Sequence, residues 1–313
     1  MTEFINEVYN KETKERFLNS IDIEQYPPRW WERVFEKTYI FEKEKQKDLY
    51  DFTVPDILEF YKFLDIGTFA PLMIYNLNLL KYGQWALNES LIFDGQNHFD
   101  EIDNEVLYSC VSKVKVEQSI LSYEKFMDLI NRKIINDQDK YIFFCLFEGI
   151  KGKNYQEIVD LKMSDINENE LKATLSSGRE VYVPVEFIDI CRKADRQTEY
   201  YNLPDLEIVR PLIPSGNILK EKSNSRGLDL NRTVYNTITR NINYLDELAS
   251  VITSKSIRDS GMIHYLNQRA NKLGVTVEEL LYNPVNCQDI IDKYQFNIAT
   301  KKRWLLQYKN YLQ

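Results

Sequence analysis

The segment TSKSIRDSGMIHYL (253–266) sets Lys255, Arg258 and Asp259 close behind a polar start at Thr253 and Ser254. Ile257, Met262, Ile263 and Leu266 recur at helical spacing, so a helix with a hydroxyl cap and an inward apolar face is expected. An arginine just inside such a helix, with Lys255 nearly one turn earlier, suits the grip of a phosphate group. The competing expectation is a structural arginine paired with Asp259, Asp165 or Glu157. Lys151 and Lys153 in GIKGKNYQEI and Arg179 in SSGREVYVPV are a second set of cations. The segment SNSRGLDLNRTVYNTITRN carries Arg226, Arg232 and Arg240 with Asn231, Thr233 and Asn236. Arg, Asn and Thr bond to phosphates and to base edges, so a helix here is expected either to read sequence or to form an exposed polar face.

The elements around these residues are mostly helical. In DFTVPDILEFYKFLD (51–65), Thr53 is a candidate cap, Pro55 falls in the first turn and Asp56 lies three after Thr53. Upstream, PPRWWERVFEKTY carries Arg29, Arg33 and Lys37 at helical spacing, while Trp30 and Trp31 are assigned to core packing. A break at IGTFAP precedes a long apolar-periodic helix. Residues 110–122 lose helix signals and are expected to be an extended linker, with domains over 1–115 and 116–313. DQDKYIFFCLFEGI reads as a strongly apolar helix, and ENELKATLSSGREVYVPV as a hairpin turning at SSGR. Residues 194–227 read as irregular and YNPVNCQ as a loop. In the last helix, Trp304, Leu305, Tyr308, Tyr311 and Leu312 form an apolar stripe. His264, toward the apolar side of its segment, is expected to be a packed core histidine. The fold class is mainly α with a small β-hairpin.

Composition narrows the chemistry. The chain has 313 residues, 43% of them hydrophobic, with 10 Gly and 9 Pro, which suits two packed domains with short connections. No apolar run approaches the roughly 20 residues of a membrane span, and the start has no signal-peptide core, so a cytoplasmic protein is expected. Cys110, Cys145, Cys191 and Cys287 form no C-x-x-C pair, and His98 and His264 are the two histidines. Neither a metal site nor a P-loop is legible, and no cofactor is expected. A net charge of −8 leaves nucleic-acid binding to a local basic surface.

The order of helical domain, LSYEKFMDLI, apolar helix ending in GI, EIVDLKMSDI, hairpin, then SIRDSG resembles the tyrosine recombinase (phage integrase) family. That resemblance implies a core-binding domain and a catalytic domain closing round duplex DNA. It also implies a chemistry in which a tyrosine attacks a DNA phosphate. Two arginines and a histidine-type donor stabilise the charge that develops, and a hairpin lysine protonates the leaving hydroxyl. Loss of one such donor costs on the order of 10²–10³ in rate.

In this sequence the first arginine place holds Lys151 when counted from Gly149, or Asn154 when counted back from Glu157. The hairpin lysine place holds Arg179, which stays protonated and is a poor general acid. The histidine place of H-x-x-R holds Lys255 and the arginine is Arg258. The later histidine or tryptophan falls around Lys293–Tyr294, and Tyr308 or Tyr311 stands nearest the nucleophile. A narrower resemblance is to prophage lytic-cycle repressors of the SPβ type built on this fold. It implies a repressor that binds operator sites in double-stranded DNA, keeps a prophage dormant, can oligomerise on DNA and is not an enzyme. The alternatives are an active recombinase with divergent residues and an interaction adaptor without DNA binding.

Overall fold

The computed structural model describes residues 7–21, 28–223, 227, 229–245 and 251–312. Arg226 lies outside the described residues. The chain divides into two compact units, Met1–Lys115 and Val116–Gln313.

The first unit is helical: α1 (Lys11–Ser20), α2 (Pro28–Lys45), α3 (Val54–Phe63), α4 (Phe69–Asn88) and α5 (Asn104–Ser109). The Asp56 carboxylate accepts from the Thr53 N–H at 3.2 Å and from its hydroxyl at 2.8 Å, which closes the start of α3. The core is aromatic. Phe17 meets Trp31 edge-on at 4.8 Å and Tyr82 at 4.9 Å, and Phe35 stacks on Trp31. Trp30 packs against the same core, as expected of both tryptophans. Within this core a charged group is fully enclosed. The Lys14 ammonium donates to Glu42 at 2.7 Å, Asp48 at 3.1 Å and the Tyr9 carbonyl at 2.7 Å.

Where an extended linker is expected, the chain forms α6 (Lys113–Ser119), which runs across the division between the units. Val116 is buried, and its burial outweighs the weak helix signals of CVSKVKVEQS.

The second unit is built round α8 (Asp137–Phe147), whose residues from Tyr141 to Phe147 are all buried. A buried helix is apolar all round, which is why YIFFCLF shows no face in sequence. Before it come α7 (Tyr123–Asp128) and a single π turn, Leu129–Lys133. α9 (Gln156–Asp160) leads to an antiparallel sheet of β1 (Ile166–Asn167), β2 (Lys172–Thr174) and β3 (Glu180–Tyr182), with Ala173 opposite Val181. α10 (Val185–Arg196) packs along α8. A hairpin of β4 (Glu199–Tyr201) and β5 (Val209–Pro211) then occupies part of the stretch expected to be irregular. It is anchored by Tyr200, buried at its centre.

α11 (Leu230–Tyr244) and α12 (Ser254–Leu273) follow. A Cβ on Gly261 would lie 1.8 Å from the Phe147 carbonyl oxygen, so only glycine lets α12 cross α8 this closely. The chain ends in α13 (Val277–Tyr282), α14 (Pro284–Tyr294) and α15 (Lys301–Tyr308). The expected loop at YNPVNCQ is instead the start of α14. Asn283 caps it by accepting from the Val285 N–H, and Pro284 takes the first helical position, where its missing N–H is no loss. The α15 stripe packs into its own unit, with Trp304 and Tyr308 buried.

Candidate nucleic-acid interface

α12 begins with a reciprocal hydroxyl cap. The Ser256 N–H donates to the Thr253 Oγ1 at 3.0 Å, and the Thr253 N–H donates to the Ser256 Oγ at 2.8 Å. Arg258 follows one turn in, half-buried between buried Ile257 and Asp259. Among the described residues no hydrogen bond or ion pair reaches its guanidinium, and each carboxylate expected to neutralise it is engaged elsewhere. Asp259 accepts from Lys255 at 2.5 Å and from the Tyr308 hydroxyl at 2.7 Å. Asp165 accepts from the Lys162 N–H at 3.0 Å. Glu157 is held by Arg179.

A second cation, Lys151, lies near enough for the charge of Arg258 to act on it. After α8, Gly152 (φ 67°), Asn154 (φ 52°) and Tyr155 (φ 70°) all take left-handed backbone and fold the segment tightly back. A Cβ on Gly152 would sit 2.7 Å from the Glu157 side chain, so glycine is required there. The Tyr155 hydroxyl reaches Ser254 at 3.4 Å, and the Lys151 ammonium lies 5.1 Å from the centre of the Tyr155 ring. Burial, and after it the charge of Arg258, holds the Lys151 pKa below its ordinary value. Two cations near enough to repel would gain from an anion bound beside them. Of the two positions counted from the sequence, Lys151 is the one on which the charge of Arg258 acts. Asn154 serves the turn, and Lys153 is exposed beside it.

Arg179 differs from its expectation. Its Nε donates to Glu157 at 2.9 Å and its Nη2 at 2.6 Å, a two-pronged pair. It also donates to the Lys293 carbonyl at 2.9 Å and to the Asp292 carbonyl. The guanidinium therefore clasps the hairpin to α9 and α14 and is not turned toward a phosphate. Glu157 is the hub of that clasp, accepting in addition from Ser177 at 2.6 Å and from the Lys151 N–H at 3.1 Å. Lys293 is likewise internal, donating to Glu148 at 2.6 Å and to the Tyr182 carbonyl at 2.7 Å. Lys255 keeps an exposed side chain, but its ammonium is held by Asp259.

Tyr308, the nearest candidate nucleophile, is 2% exposed and donates its hydroxyl to Asp259. A phenol in that setting fixes α15 to α12. His264 is half-buried and stacks on Tyr123, with ring centres 4.7 Å apart and planes 9° apart.

On α11, Arg232, Tyr235, Asn236, Thr239 and Asn243 are exposed at helical spacing and make one polar strip. Sequence reasoning found Arg232 and Asn236. It missed Tyr235, Thr239 and Asn243, although the spacing from Arg232 could have located them. Asn231 is turned away from the strip, donating to Gln156 at 3.1 Å. Arg240 is half-buried, bonded to the Tyr200 hydroxyl and to Thr237. In the first unit, Arg29, Arg33 and Lys37 lie on the exposed face of α2, and no ion pair joins them among the described residues. Among the described residues no group of His, Cys, Asp and Glu could hold a metal ion. No described helix is long and apolar enough to cross a membrane.

Residues 120–312 match the family model described as MrpR, C-terminal catalytic domain, and residues 8–88 match MrpR, N-terminal core-binding domain. The chain belongs to the MrpR family. It is similar to the SPbeta prophage-derived uncharacterized protein YopR of Bacillus subtilis (strain 168), with 24% identity over 97% of this chain and 94% of that protein. A solved structure of a lambda integrase dimer bound to a COC' core site aligns over 91% of this chain and 96% of that one. Its identity is 14% and its TM-score 0.40. This MrpR chain is mainly helical, and its two family matches are to a core-binding and a catalytic domain.

Proposed function

We propose that this MrpR-family chain is a sequence-specific repressor of double-stranded DNA that maintains prophage lysogeny and does not cut strands. The observation that carries this reading is the unneutralised pair Arg258 and Lys151. It offers a phosphate two positive charges, and the reactive groups that the resemblance implies are not free beside it. A histidine acid is absent there, the hairpin cation is clasped by Glu157, and the nearest tyrosine is buried against a carboxylate. The exposed strip of α11 supplies Arg, Asn and Thr groups for base edges. Arg29, Arg33 and Lys37 add a basic helix face in the first unit. Similarity to a prophage-derived protein supports the setting.

The test is binding of the purified protein to fragments of the prophage genome that carries it, with Arg258→Ala alongside and a denaturing step to reveal covalent adducts. Tight, sequence-dependent binding that falls at least about tenfold in the variant, as loss of a charge-assisted phosphate contact requires, supports the repressor. Covalent adducts return the chain to the active recombinases. Absence of any specific duplex binding at moderate salt leaves an interaction adaptor.

A further inference from the structure

The second unit has a basic cleft away from the Arg258 helix start. It lies between the π turn Leu129–Lys133 and α11, has a volume of about 1100 Å³, and is lined by Arg132, Lys133, Asn236, Thr239, Arg240 and Asn243 among others. The described lining includes no carboxylate. Arg132 and Lys133 are exposed at one rim, and the exposed amides and hydroxyl of α11 form the other.

Charge at this place is unbalanced. Arg240 has a buried Nε with no hydrogen-bond partner. Beside it, the Lys222 ammonium sits 3.5 Å from the centre of the Tyr200 ring. Burial, and after it the charge of Arg240, lowers the Lys222 pKa to about 8. A counter-charge close to them is the buried carboxylate of Asp139, itself bonded by Tyr200 at 2.8 Å and Asn241 at 2.9 Å. At the rim, Arg132 pairs with Asp128 at 2.9 Å in an exposed i,i+4 bridge that water weakens. No ion pair holds Lys133 among the described residues. Cations at rim and floor, with amide and hydroxyl groups between them, fit an anion with several acceptor oxygens.

We infer that this cleft is a second phosphate site, and that on a duplex it holds the sugar–phosphate strand flanking the bases that face α11. The inference rests on the DNA-binding reading and deepens it. Strand rather than isolated ion is favoured because the cleft is continuous with the exposed α11 strip: Asn236, Thr239 and Asn243 belong to both. Arg132 and Lys133 close that π turn and line the cleft opposite α11.

The variant Arg132→Ala/Lys133→Ala removes two exposed side chains and leaves the buried Arg240 cluster intact. Its affinity for a prophage duplex is expected to fall about tenfold or more, with base preference kept. The slope of log affinity against log salt should lose about two, near 0.9 per phosphate contact. An unchanged slope overturns the inference even if the wild type binds DNA. A separate arm titrates the full chain with tripolyphosphate in a calorimeter. Two sites are expected, one lost in Arg132→Ala/Lys133→Ala and the other in Arg258→Ala. Retention of both in the double variant overturns the cleft. Duplex binding absent in the wild type, with the cleft's tripolyphosphate site present, would sink the DNA reading and assign the cleft to a free phosphate compound.

Discussion

Lys14 in the first unit and Arg258 in the second are both cations set into helical packing, and their surroundings are opposite. Lys14 is fully buried and meets two carboxylates and a carbonyl. Tyr82 closes the far side of Asp48 at 3.0 Å and Thr38 closes Glu42 at 2.8 Å, so each group in the cluster answers another. Arg258 is half-buried beside Lys151, and nearby carboxylates are bound to other donors. A buried charge without a partner is expensive. A fold therefore keeps one either by closing on it, as at Lys14, or by leaving it at an edge where a ligand completes it. Burial alone does not separate structure from function here; whether the nearest counter-charge is already taken does.

The largest effect that tests this contrast is Lys14→Met. It leaves Glu42 and Asp48 facing each other in the core and is expected to cost about 3–5 kcal/mol in a urea titration of the first unit. Arg258→Ala, by contrast, should leave stability within about 0.5 kcal/mol, or raise it by relieving repulsion with Lys151. A comparable loss in both variants would break the comparison.

Next in size is Glu157→Gln. It takes the carboxylate from the Arg179 clasp and is expected to lower the stability of the second unit by about 2–3 kcal/mol. Arg179→Ala should cost a similar amount. If Arg179→Ala is stable and impairs only DNA binding, Arg179 belongs with Arg258 after all.

Tyr308→Phe should be milder, about 1–2 kcal/mol, because Asp259 keeps Lys255 when the hydroxyl is lost. Duplex binding should be unchanged.

The smallest effects separate the two histidines. His98 in the first unit is raised above 6.5, by its bond to Glu101 first and then to Asp94, whereas burial lowers His264 in the second unit. A raised pKa means that the folded state holds the proton more tightly. The His98 contribution is therefore present below pH 6.5 and is lost as pH rises through its folded pKa. A lowered pKa reverses the sign, so His264 weakens the second unit as pH falls below 6.5. Ring signals followed by NMR from pH 5 to 8 should titrate in that order, His264 at the lower pH.

Much of the local architecture was legible. Thr53 with Pro55 and Asp56, Thr253 at the head of α12, and the turn at SSGR carry their signals within a few residues, because caps and turns are short-range bonds. The misses have equally physical causes. α6 forms through the burial of Val116, the β4–β5 hairpin through the burial of Tyr200, and both depend on contacts distant in sequence. At the candidate site, Arg258 and Lys151 were legible as cations, and so was Arg179. That Glu157 would close on Arg179 and not on Arg258 was not legible, because the three residues lie 22 to 101 positions apart and either pairing conserves charge. Arg132 and Lys133 escaped notice because the cleft they line is completed by α11, far later in the chain.

By itself the amino-acid sequence determined a mainly helical chain, the hairpin, the cap that opens α12, and the cations Lys151, Arg179, Lys255 and Arg258 available to a site. Those are matters of residue identity and of hydrogen bonds within a turn. The tertiary structure alone decided which cations are closed and which are open. A carboxylate can neutralise whichever cation the packing brings to it, and that choice is made only when α9, the hairpin and α12 meet around α8.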